Sequence, residues 1–100
     1  MGTVKTYPFD ATKYIKTDED LVELLQDAFG TGELPYIRLA ILHCIKIKDA
    51  TKIAQATGLN RQALYQAFGK DGNPTIHTVV SVLAALDLGV RLGVSPLSGE

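Results

Sequence analysis

Arg61, Gln62, Tyr65 and Gln66 follow closely on Asn60, and their side chains carry donors and acceptors that match base edges and phosphate oxygens. On a helix beginning at Arg61 the four fall within one arc of about 140°, opposite Leu64, Ala67 and Phe68. A free face of this kind fits a major groove, and Asn60 at its start adds backbone amides that favour phosphate. Lys52 ahead of the helix and Lys70 behind it add cations within reach of the backbone. The expected DNA-binding set is therefore Lys52, Asn60, Arg61, Gln62, Tyr65, Gln66 and Lys70.

Other chemistry finds no constellation. His43 and Cys44 are neighbours in a helical stretch, so they point about 100° apart and make a poor base and nucleophile; both are expected near the core. His77 has no partner in the pattern. Asp18, Glu19 and Asp20 are consecutive and diverge on a helix, and a role at the positive end of the dipole accounts for them. The loop Gly69 to Gly72 lacks the lysine and serine that end a phosphate-cradling loop. The lone Cys44 forms no intrachain disulfide, and no Cys/His spacing suggests zinc. No catalytic residue, metal or cofactor is expected, and the chain does not read as an enzyme.

The elements that position the reading face follow from caps and periodicity. Thr17 caps a first helix, with Asp20 placed to close a capping box; Leu21, Leu24, Leu25, Ala28 and Phe29 then keep helical spacing up to Gly30. Pro35 opens a second, which buries Ile37, Ala40, Ile41, Cys44 and Ile45 and is expected to be the most buried. Asp49 caps a third over Ala50 to Thr57, and Asn60 caps a fourth over Arg61 to Phe68. A fifth begins after Pro74 with Thr75 near its cap, and Ile76, Val79, Val80, Leu83 and Leu86 are expected to face inward. From Leu88 the period changes to two, with Leu88, Val90, Leu92 and Val94 alternating as in a half-buried strand. Such a strand needs a partner: Thr3 to Tyr7, its own copy in a second protomer, or an edge on another protein.

Helices three and four form a helix-turn-helix unit. Ile53 and Ala54 are its buried pair, Gly58 supplies the left-handed turn, Leu59 plugs the corner, and Leu64 and Ala67 pack the second helix back. An ordinary helical corner also uses Ala54, Gly58 and Leu59 in this way, but it does not need arginine, tyrosine and two glutamines on one free face.

Charge agrees with this placement. The chain of 100 residues has a formal net charge of -1, which argues against bulk coating of nucleic acid. Residues 1 to 37 carry -4, residues 38 to 73 carry +4 and residues 74 to 100 carry -1. Lys46, Lys48, Lys52, Arg61 and Lys70 thus surround the reading helix. With 46% hydrophobic and 21% charged residues, the composition is that of one globular domain. Residues 1–16 are expected as an extended segment, 17–87 as the DNA-binding domain and 88–100 as a strand and tail. No signal peptide or membrane span is evident, and a reducing, cytoplasmic setting fits the single cysteine.

The sequence resembles the short helix-turn-helix antitoxins known as addiction-module antidote proteins, related to HigA-type antitoxins in the Xre-like group. The resemblance runs from Pro8-Phe9-Asp10 and Tyr14-Ile15 through Gln55 to Tyr65, then Gly72-Asn73-Pro74 and Thr78-Val79, and closes on Ala85-Leu86-Asp87-Leu88. Asn60 stands where the family usually has serine, Phe68 where it has leucine, and Asp87 where glycine is common. The resemblance implies an all-α, five-helix, Xre/lambda-repressor-like helix-turn-helix domain with a short C-terminal β-strand. It also implies a dimer that neutralises a RelE/HigB-like ribonuclease toxin and represses its own operon on double-stranded operator DNA. The toxin-binding surface is left between the acidic segment Asp18 to Asp27 and the terminal strand, since such toxins are basic. A stand-alone phage-like repressor, or an interaction adaptor that never touches DNA, remains open at this point.

Overall fold

Five helices follow one another in the computed structural model, which describes residues 15–89. The first, α1 (Asp18–Thr31), starts with the expected capping box: Thr17 Oγ1 accepts from the Asp20 amide at 3.1 Å, and Asp20 Oδ2 accepts from the Thr17 amide. Those contacts with Thr17 hold the Asp20 carboxyl below the ordinary carboxylate range. The helix does not stop at Gly30. It runs on to Gly32, whose φ of 70° makes the left-handed cap.

The second helix, α2 (Leu34–Ile47), is central and packs against each of the other four. Tyr36, Ala40, Ile41, Cys44 and Ile45 are its buried residues. Ile37, expected inside, is half-buried, and Tyr36 takes the interior position with its hydroxyl donating to Asp27 on α1. Cys44 is buried, and burial pushes its thiol pKa up to about 12. His43 is half-buried, with Nε2 2.8 Å from the Ile15 carbonyl oxygen, so it ties the chain ahead of α1 to α2. An ion pair of 3.1 Å between Lys48 and Asp18 links the end of α2 to the start of α1.

The last three helices are α3 (Ala50–Thr57), α4 (Arg61–Phe68) and α5 (Ile76–Leu86). In α5, Val79, Val82, Leu83 and Leu86 are buried. Ile76 and Val80, expected to face inward, are 74% and 48% exposed. The cause is that α5 carries no charged residue and only His77, Thr78 and Ser81 are polar, so its rotation is weakly fixed from sequence, and packing on α2 and α3 turns Val82 in instead. Asp87 caps α5 at φ 55°, taking the left-handed conformation that a glycine would adopt more readily. No strand occurs among the described residues. Of the alternating segment, only Leu88 and Gly89 are described, with Leu88 packed partly against the core. Val90 to Val94 and Thr3 to Tyr7 lie outside the described residues.

Candidate nucleic-acid interface

The α3 and α4 pair is built by four local devices. Asp49 Oδ1 accepts from the Thr51 amide at 3.0 Å and starts α3. Thr57 Oγ1 donates to the Ile53 carbonyl at 2.9 Å and accepts from the Leu59 amide at 3.3 Å, which holds the turn against the helix it leaves. Gly58 has φ 79° and its N–H donates to the Ala54 carbonyl. Asn60 Oδ1 accepts from the Ala63 amide at 2.7 Å and starts α4.

Packing then decides which side of α4 is free. Leu64 and Phe68, one turn apart, are fully buried against the body of the domain, each contributing roughly 1.5–3 kcal/mol by burial. The far end is held as well. Arg38 Nη1 donates to the Gly69 carbonyl, and Gly72 lies so close that an added Cβ would overlap the Gln66 and Ala67 carbonyl oxygens. With its start capped and its end clamped, α4 presents a fixed outward face.

That face has two columns. Gln62 and Gln66, at i and i+4, are exposed with their amides free to meet base edges. Arg61 and Tyr65 form the second column, and here the arrangement differs from a set of four equivalent reading residues. Tyr65 is half-buried, packed in part against the core, and its ring has the Arg61 guanidinium on one approach and Lys46 Nζ on another, each 5.9 Å from the ring centroid. Tyr65 is thus a platform that carries two cations.

Beside it lies a hollow of about 460 Å³ lined by Lys46, Ile47, Asp49, Thr51, Arg61 and Tyr65. Two cations and a hydroxyl suit a phosphate oxygen there, although the Asp49 carboxylate, engaged in capping α3, sits on the same rim. Lys46 and Thr51 are absent from the expected set. Lys46 carries a signal in the basic middle of the sequence, whereas Thr51 has none beyond its place after a cap. Lys52 and Lys70 are exposed and stand outside the hollow, and Lys48 is drawn away by Asp18. Asn60 is exposed, but its side-chain oxygen is occupied with the cap.

Residues 5–94 of the sequence match the family model described as probable addiction module antidote protein. The chain belongs to this family. An uncharacterized protein of Haemophilus influenzae is similar to this antidote-family chain, at 29% identity over 80 residues that cover 80% of this chain and 82% of that one. No solved structure matches. The antidote chain has no helix, among its described residues, that is long and apolar enough to cross a membrane. Nor do those residues include a group of His, Cys, Asp or Glu that could hold a metal ion.

Proposed function

We propose that this chain is the antitoxin of a type II toxin-antitoxin module, which neutralises a RelE/HigB-like ribonuclease and autorepresses its operon by binding operator DNA as a homodimer. The observation that carries the DNA half is the α4 face: exposed Gln62 and Gln66 beside Arg61 and Lys46 gathered on Tyr65. The two glutamines read base edges in the major groove, while Arg61 and Lys46 meet a flanking phosphate. Lys52 and Lys70 add backbone contacts that raise affinity without sequence information.

Family membership supports the toxin half, and so does the acidic surface at the start of α1. Asp18, Glu19, Asp20 and Glu23 border a hollow of about 540 Å³ with Val22 and Leu88 in its lining, which suits a basic partner with an apolar anchor. Co-expression with the product of the adjacent reading frame tests the whole reading. Growth rescue and co-purification are expected, and Glu19→Lys with Glu23→Lys should weaken rescue while leaving promoter binding intact. A neighbour that is harmless alone, or that never co-purifies, would overturn the antitoxin role and leave a stand-alone repressor.

A further inference from the structure

Asp49 is the one acid in the hollow lined by Lys46, Arg61 and Tyr65, and its backbone stands at φ 86° and ψ 100°. Glycine enters that region freely, whereas a residue with a Cβ is strained there. Asp87, at φ 55° and ψ 44°, lies in the ordinary left-handed well; Asp49 does not. Capping does not explain the choice of residue. Asp49 Oδ1 accepts from the Thr51 amide, but asparagine makes the same bond without charge, and glycine at an N-cap loses little. What the carboxylate alone supplies is a negative charge on a rim shared with two cations. It forms no ion pair with either, and the ion pair among the described residues joins Lys48 to Asp18.

We propose that Asp49 determines which anions the hollow accepts, biasing it toward singly charged phosphodiesters and against doubly charged phosphate monoesters. Lys46 and Arg61 bring two positive charges and Asp49 one negative, which leaves the hollow a single positive charge. That balances one backbone phosphate. A monoester carries a charge of about -1.5 to -2, so the carboxylate repels it more strongly, and its desolvation costs more. In water a unit charge about 6 Å away shifts the binding of a monoanion by about threefold and that of a dianion by about tenfold. The strained carboxylate thus keeps the hollow open to a duplex backbone while free nucleotides, with their terminal phosphates, compete less. That the diester belongs to operator DNA rests on the function proposed above; the charge balance of the hollow does not.

Titration of the full chain with methyl phosphate, a dianion at about pH 8, and with dimethyl phosphate, a monoanion, tests this through the amide shifts of Thr51 and Arg61. Asp49→Asn keeps the cap and removes the charge. It should bind methyl phosphate about tenfold and dimethyl phosphate about threefold more tightly than the wild type, with both gains shrinking as salt rises. Asp49→Gly relieves the backbone as well, and should show the same gains while melting no lower than the wild type. Equal gains for the two esters, or no gain in a folded variant, would overturn the proposal. So would a lower melting temperature as the only effect of Asp49→Asn, which would assign the carboxylate to the positive end of α3. Ester binding as expected in a chain that binds no duplex would count against the operator reading and leave the anion preference standing. Duplex binding with equal ester gains would do the reverse.

Discussion

The guanidinium of Arg61 lies 5.9 Å from the centre of the Tyr65 ring, one turn further along the same side of α4. The ring also receives Lys46 from α2, so one aromatic side chain fixes two cations that come from different helices. Each such contact is worth about 0.5–1 kcal/mol at an exposed site. Tyr65→Phe keeps the ring and should leave promoter binding within about twofold. Tyr65→Ala releases both cations and should weaken binding by about 1–2 kcal/mol. Anisotropy titrations of a labelled promoter fragment distinguish the two, and equal losses in both variants would make the hydroxyl, and not the ring, the working group.

The two columns of α4 predict different kinds of loss. Gln62→Ala should cost about 1–3 kcal/mol on the cognate site and little on unrelated duplex, because on the proposed reading it removes a base contact. Lys46→Ala should weaken both duplexes alike and reduce the log–log salt slope by about 1, because on the proposed reading it removes a phosphate contact. Titrations of both variants on both duplexes at several salt concentrations check this. An unchanged salt slope for Lys46→Ala would take the α2 end out of the interface.

Boundaries were legible in the sequence where a cap has one physical meaning. Asp49, Gly58 and Asn60 bracket α3 and α4 because each has a bonded side chain or a left-handed backbone at its place. Gly30 misleads because a helix tolerates an isolated glycine at a cost of about 1 kcal/mol, and only Gly32 adopts positive φ. The rotation of α5 was not legible, since the helix carries no charge, Val80 and Val82 flank its apolar arc, and only tertiary packing separates them. In the site, the residue types on the α4 face were readable from spacing. That Tyr65 would gather Arg61 and Lys46 was not, because Lys46 is 19 positions away and meets the ring through the fold of α2 against α4.

Cys44 makes the fold sensitive to alkali. Its thiol ordinarily titrates near 9.0 and is pushed up to about 12 by burial, so the folded state holds a proton that the unfolded state releases between those values. The stabilising contribution is complete below about pH 9 and falls by about 1.4 kcal/mol per pH unit above it. Cys44→Ala should be less stable than wild type at neutral pH, with the gap narrowing from pH 9 to 11. Urea unfolding of both proteins across that range measures the difference; a constant gap would mean that the thiol ionises in place.

Gly72 closes the end of α4. Its N–H donates to the Gly69 carbonyl at 3.0 Å, and a methyl group there would meet the Gln66 and Ala67 carbonyl oxygens. Gly72→Ala should therefore destabilise the domain by about 1–3 kcal/mol, the usual range for forced overpacking, and lower its melting temperature. A neutral effect would mean that the loop from Gly69 to Pro74 shifts without disturbing α4.

Binding of the wild-type chain and of an Arg61→Ala, Gln62→Ala, Gln66→Ala variant to the chain's own promoter fragment tests the central claim most directly. Salt should be varied in the titration and helical content verified for both. The wild type should bind the promoter in preference to unrelated duplex, with a log–log salt slope of about -0.9 per phosphate neutralised, and the variant should lose that preference while staying folded. A wild type that shows no preference and no salt dependence, or a folded variant that binds the promoter as well as the wild type does, would contradict the assignment of operator recognition to α4.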